Sequence, residues 1–343
     1  MSSVNSKRLV QVDALRGLAA LAVVLFHYTT RFAELFGAEA KPSLSFPAGH
    51  YGVNLFFIIS GFVIFMTLEK TTKPMDFIVS RFSRLFPAYW VAIFLTFSIC
   101  HALGLPGKLV AIAPALANMM MVHGFFGVPN VDGVYWTLEV ELLFYCGMFT
   151  LYLLKGLHRL NYVLSGLLLF RVIYFVLEHQ FAIDLPWIVF RLLILKFIPW
   201  FSLGISIYVA VHHGGPGERR KSVLTSLLAV GTLYLCESAF VAGLAIVLSI
   251  AVYFAAQNRF KLLQFKPVVW LGTISYPLYL LHENIGWSLM LQLQKFGLSM
   301  DVTILLTLCI SLALAAAVTY WVEQPAMRWI RSTYKNRARV LAA

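Results

Sequence analysis

The chain has 343 residues, of which 60% are hydrophobic and 12% charged, with a net charge of +12 and a mean hydropathy of +0.80. That balance excludes an ordinary soluble domain and points to an all-α, polytopic membrane helix bundle. Most basic residues lie in short turns between apolar runs, so membrane topology accounts for them and nucleic acid is set aside as a partner. Cys100, Cys146, Cys236 and Cys309 are scattered through apolar runs, without the close pairing of a disulfide frame or a zinc site.

Taken in chain order, spans are expected near 12–30, 51–68, 86–104, 134–154, 161–178, 188–211, 223–236, 240–256, 268–292 and 302–321. That gives ten helices with both termini cytoplasmic, in a single integral domain over 1–343 with a core at 9–331 and a basic tail at 332–343. In this arrangement only Arg31, Lys41, Lys108 and Lys295 fall outside, and Arg16, Arg171, Arg191 and Lys196 fall within spans. The remaining Lys and Arg are inside. The stretch 105–133 is apolar enough to resemble a span but is broken by Pro106, Pro114 and Pro129. Counting it as a crossing would invert every later loop, so it is expected to be re-entrant or to lie on the outer surface. Lys7 and Arg8 ahead of an apolar run, with Ala38-Glu39-Ala40 beyond it, resemble a signal peptide and its cleavage site. The site lies too far past the run, and the first span is expected to be retained.

The first span carries Asp13, Arg16 and His27 on one stripe, since three and eleven residues both return near the same face of a helix. Ionisable groups at membrane depth are costly and mark function by default. An imidazole there is a candidate general base, with a hydrogen-bonded structural histidine as the alternative. Asp13 and Arg16 could equally form an internal ion pair. A cytoplasmic turn at 76–90 holds Arg81 and Arg84 before Pro87. Paired guanidinium groups suit a phosphate-bearing ligand, while contact with membrane lipid headgroups or topology signalling is the plainer reading.

The fourth span opens with Trp136, Glu139 and Glu141, the two acids on different faces. One of them is expected to reach the bundle interior, orient an imidazole and stabilise the imidazolium, or else to partner Arg171 or Arg191. Ser60-Gly61 in the second span allows close helix approach, and without a nucleophile elbow packing is preferred for Ser60. His282 and Glu283 in the ninth span extend a polar path, and Glu323 and Arg328 mark the exit of the last.

In this order the segments resemble the acyltransferase 3 family of integral membrane acyltransferases, typified by bacterial polysaccharide O-acetylases. The resemblance runs from about residue 9 to 331 and rests on Asp13, Arg16-Gly17 and His27, Phe56-Phe57 with Ser60-Gly61, and Arg81, Arg84 and Pro87. It continues through Trp136, Glu141 and Phe144-Tyr145, Ser275-Tyr276 with Tyr279 and His282, and Glu323 with Pro325. The resemblance implies a bacterial inner-membrane enzyme that takes an acyl group, most commonly acetyl, from cytoplasmic acyl-coenzyme A as donor substrate, with no bound cofactor or metal. It implies a carbohydrate acceptor: exopolysaccharide, O-antigen, peptidoglycan or a lipid-linked precursor.

His27 is then the expected base, and Arg16, Arg81 and Arg84 hold the donor. Glu141 is expected as the orienting acid and Asp13 as a further catalytic group. Ser60, Trp136, Tyr276, Tyr279 and His282 form a candidate substrate path. Many relatives carry an esterase-like domain after the last span, and this chain is expected to be the form without it. A transporter or exporter is the competing class, disfavoured by the lack of internal repeats. A non-catalytic subunit of a polysaccharide assembly complex is a third.

Overall fold

The structure, a computed structural model, describes residues 9–37, 42–213 and 215–340, with 338–340 described by backbone alone. Lys7, Arg8, residues 38–40 and Lys41 lie outside them. No strand occurs among the described residues.

In chain order the α-helices are α1 (Val10–Phe26), α2 (Phe32–Phe36), α3 (Gly52–Glu69), α4 (Pro74–Leu103) and α5 (Ile112–Asn118). There follow α6 (Trp136–Leu153), α7 (Leu160–Phe181), α8 (Trp187–Leu192), α9 (Ile198–His212) and α10 (Pro216–Cys236). The chain ends with α11 (Ala239–Ala256), α12 (Lys266–Leu281), α13 (Glu283–Lys295), α14 (Met300–Val318) and α15 (Gln324–Val340). Among the described residues six segments are long and apolar enough to cross a membrane: Val10–Phe36, Pro47–Glu69, Pro74–Leu103, Leu157–Phe181, Ala239–Ala256 and Met300–Arg337, with Ile198–His212 shorter.

Several expected elements take a different form. The stretch containing Arg81 and Arg84 is helix, not turn: α4 starts with Pro74 in the first helical turn, where its missing N–H is no loss, and runs 30 residues through Pro87. At 1.5 Å per residue that is about 45 Å, longer than a ~30 Å hydrocarbon core, so α4 projects beyond one span. The expected span at 268–292 is broken at His282 into α12 and α13. The one at 188–211 divides into α8 and α9 around a turn in which buried Ile194 has φ 47°. Within the expected basic tail, α15 continues to Val340 and the Tyr334 hydroxyl donates to Asp76 Oδ1 at 2.8 Å.

Between Gly104 and Gly133 no helix approaches span length, since α5 has seven residues. Buried Asn118 organises this stretch by donating from Nδ2 to the carbonyls of Pro114 and Pro129 and accepting the Val131 N–H on Oδ1. One side chain thus satisfies backbone groups that proline-broken segments leave open.

The described chain forms two compact units. The first comprises Met1–Ala19, Asn54–Met66 and Lys155–Thr273. Here α9 packs on α10, and α3 meets α9 through glycines. A Cβ on Gly61 would strike the Phe201 carbonyl, and one on Gly204 the Ile58 carbonyl, so the backbones touch as small residues allow between apolar helices. Phe57 on Phe201 and Phe62 on Tyr208 fill the contact beside them. Arg171, 7% exposed, lies against the rings of Phe175 and Phe190.

The second unit comprises Ala20–Val53, Thr67–Leu154 and Ile274–Ala343, with α4 packed on α13 and α15, and α13 on α14. Gly204→Ala should cost about 1–3 kcal/mol by forcing α3 and α9 apart. Gly147→Ala in α6, where an added Cβ meets nothing, should be neutral or gain up to about 1 kcal/mol from helix propensity. Thermal unfolding of the two variants in detergent compares them, and equal shifts would refute the close contact.

Candidate active site

His27 ends the regular part of its helix. At that residue α1 gives way to a π-helical stretch, His27–Arg31, in which the Thr29 hydroxyl donates to the Leu25 carbonyl at 2.6 Å and accepts the Phe46 N–H at 3.0 Å. Such a widened turn changes which way side chains project and recurs at functional sites.

The ring of His27 is held on three sides. Its Nδ1 lies 2.9 Å from the Val23 carbonyl and 3.1 Å from His282 Nε2, and His282 Nδ1 lies 2.9 Å from the Tyr279 carbonyl. One tautomer assignment satisfies all three contacts. Both rings carry a proton on Nδ1; His282 donates to Tyr279, and His27 donates to Val23 and toward His282. Nε2 of His27 is then the atom free for chemistry, and it faces Glu283 Oε2 at 3.4 Å. The two side chains are 13% and 7% exposed, so the pair is enclosed but not sealed.

A bend at His282, which keeps helical dihedrals, separates α12 from α13 beside this pair. It starts α13 with Glu283, and the Tyr28 hydroxyl takes up the His282 carbonyl at 2.8 Å and Ser311 Oγ at 2.7 Å. Trp287, one turn on, donates its Nε1–H to the His27 carbonyl at 3.1 Å. A loop seats Glu283 from the other side. Fully buried Asp132 accepts the Asn284 N–H on Oδ2 at 3.0 Å and the Val134 N–H on Oδ1 at 3.2 Å. Asn284 Nδ2 donates to the Val131 carbonyl. Gly133 then lies directly on the Glu283 carboxylate, with no room for a Cβ. Burial pushes the Asp132 carboxyl above the ordinary carboxylate range, against the pull of its two N–H donors.

A second cluster lies on the first half of α4. Arg84 pairs with Glu323, whose side chain is 1% exposed and which closes a second π-helical stretch, Thr319–Glu323. The Arg84 guanidinium also sits 5.9 Å from the Tyr276 ring, and Arg81 lies 5.9 Å from both Phe77 and Tyr145.

The structure therefore joins His27 with His282 in one place, and Arg81 with Arg84 and Tyr276 in another. The Tyr279 hydroxyl shares a hydrogen bond with Thr137 Oγ1 at 2.9 Å, and the Tyr276 hydroxyl donates to the Leu85 carbonyl at 2.9 Å. Trp136 is 40% exposed at the start of α6. Glu141 takes the Tyr145 hydroxyl, while the carboxylate facing the His27 ring belongs to Glu283. Asp13, Arg16 and Ser60 lie in the first unit, with Ser60 buried next to the Gly61 contact. Glu283 was legible only as part of a polar path, because its role depends on a helix break that no sequence periodicity announces.

The second unit thus brings an imidazole and a carboxylate together in an all-α membrane protein, with a guanidinium cluster on the same unit. The chain belongs to the acyltransferase 3 family, whose acyltransferase domain matches residues 9–323. It is similar to an exopolysaccharide production protein, ExoZ, of Rhizobium meliloti, at 32% identity over 118 residues, 32% of this chain and 37% of that protein. It is similar to the peptidoglycan O-acetyltransferase OatA of Listeria monocytogenes, at 24% identity over 322 residues, 82% of this chain and 50% of that protein. A nodulation protein of Rhizobium leguminosarum shares 34% identity over 113 residues, 27% of this chain and 30% of its own. The chain spans half or less of the length of these relatives. No solved structure matches.

Asp132→Asn removes an acceptor oxygen from one of the two N–H groups held there and should destabilise the protein by about 1–3 kcal/mol. An unchanged melting temperature would show that the loop is held by other means.

Proposed function

We propose that this protein is an O-acyltransferase of the bacterial inner membrane that moves an acyl group, acetyl in the first instance, from cytoplasmic acyl-coenzyme A to a hydroxyl of a cell-surface carbohydrate. The observation that carries this reading is the orientation of His27, whose Nδ1 is engaged by Val23 and His282 and whose Nε2 is left toward Glu283. Family membership and the names of the similar exopolysaccharide and peptidoglycan proteins support the acceptor class.

The chemistry follows from the geometry. The acceptor hydroxyl gives its proton to His27 Nε2 as its oxygen attacks the thioester carbonyl carbon. The C–S bond breaks, the ester remains on the sugar, and the coenzyme A thiolate leaves to take up the proton from the imidazolium. Between those events the ring is positively charged, and Glu283 at 3.4 Å is placed to stabilise it. His282 and the Val23 carbonyl fix the tautomer and keep the ring from turning. The donor's phosphates are anionic and suit the guanidinium groups on α4.

Purified protein in nanodiscs with labelled acetyl-coenzyme A tests this through slow thioester hydrolysis, in which water takes the place of the acceptor hydroxyl and acetate and coenzyme A are released. His27→Ala should lower the rate by at least about 10²-fold with the fold intact. Glu283→Gln, which keeps shape but removes the charge, should lower kcat about tenfold and leave KM nearly unchanged. Full turnover in a folded His27→Ala protein would overturn the assignment.

A further inference from the structure

The guanidinium cluster contains a third member that lies at the other end of the sequence. Arg331, on α15, donates its Nε–H to Ser83 Oγ at 3.0 Å and its Nη2 to the Ser80 carbonyl at 3.2 Å. Ser80 and Ser83 are the residues immediately before Arg81 and Arg84, so these bonds dock Arg331 onto the stretch that carries the other two guanidiniums. Its charge is within electrostatic reach of both.

Charge counting then separates the three. Arg84 is neutralised by Glu323. Among the described residues neither Arg81 nor Arg331 has a carboxylate partner: Arg81 donates only to Ser80 Oγ, and its buried Nε has no acceptor. The nearest acid in sequence, Asp76, is taken by the Tyr334 hydroxyl. Two unpaired like charges held together at a partly buried site repel each other, and a bound dianion removes that cost. A phosphomonoester carries close to two negative charges and three acceptor oxygens, whereas a phosphodiester such as a lipid headgroup carries one.

We infer that Arg81 and Arg331 together bind the terminal phosphomonoester of the donor's nucleotide, the 3′-phosphate of coenzyme A, with Arg84–Glu323 as the strut that holds the site open. The inference rests on acyl-coenzyme A being the donor. It makes α15 part of the donor site and makes Arg331 the residue that separates coenzyme A from its 3′-dephospho form.

A two-by-two cycle tests it. Affinities of coenzyme A and 3′-dephospho-coenzyme A are measured for wild type and Arg331→Gln in detergent free of anionic lipid, with Arg331→Lys as a rescue. The comparison is a ratio within each protein, so a general loss of fold or affinity cancels. Wild type should prefer coenzyme A by about 10- to 100-fold, the range of hydrogen bonds to a charged group. Arg331→Gln should bring the ratio near one while changing dephospho-coenzyme A affinity by less than about twofold, and Arg331→Lys should restore part of it.

A ratio kept intact in Arg331→Gln removes Arg331 from the site. A wild-type ratio of one, with coenzyme A still bound, overturns the phosphate assignment and leaves the acyltransferase reading standing. If phosphatidylglycerol retention then depends on Arg331, the site belongs to a lipid headgroup. Failure of folded wild type to bind coenzyme A at all overturns the donor reading and this inference with it.

Discussion

Charge is costly wherever water is scarce, and in the second unit His27 and Glu283 face each other with side chains only 13% and 7% exposed. Much of the surrounding local structure serves to satisfy the pair. The His282 carbonyl accepts the Tyr28 hydroxyl as well as the Gly286 N–H, Tyr279 and Val23 anchor the two imidazoles, and Asp132 binds the peptide on the far side of Glu283. Remove the carboxylate and the ring has no partner for a positive charge; remove the loop and the carboxylate has no fixed position. The pair is therefore the constraint from which the loop, the helix break and the bound tyrosine can each be understood.

Both polar clusters of this unit lie where regular helix fails. His27 opens one π-helical stretch and Glu323 closes the other. A regular α-helix in an apolar environment satisfies its own backbone and presents side chains at fixed angles, which favours stability over reactivity. A widened turn redirects a side chain and loosens the ladder locally. The cost is carried by neighbouring hydroxyls: Thr29 donates to the Leu25 carbonyl beside the first stretch, and Tyr28 bonds to Ser311 across it.

Much of this was legible in the residues alone. Apolar run length identified an all-α membrane protein, the expense of intramembrane charge singled out His27, and the pairing of two guanidiniums beside an apolar run singled out Arg81 and Arg84. Three prolines kept 105–133 from being counted as a span, and its longest helix has seven residues. What failed did so for physical reasons. Hydropathy cannot see a helix break within an apolar stretch, so His282 and Glu283 looked like neighbours on one helix and Glu141 was the acid expected beside the imidazole. Arg331 read as topology because its partners are 248 and 251 residues away, and sequence distance hides contacts of that kind.

The end of α12, together with His282 just after it, ties the two clusters together. Tyr276, Tyr279 and His282 are spaced three residues apart, so they progress along one side of the helix. Tyr276 lies 5.9 Å from the Arg84 guanidinium, Tyr279 is bonded to Thr137, and His282 touches His27 at 3.1 Å. Six residues of helix rise about 9 Å, and the side chains at either end add their own reach. On the proposed reading, a ligand anchored by phosphate at the arginines would have to be elongated to reach His27, past aromatic rings and hydroxyls whose polar atoms are already engaged. That favours a flexible arm with a carbonyl at its tip over a compact ion. On the proposed reading, the tyrosine stripe is what would join the imidazole and the cation cluster in one reaction; each alone could be structural.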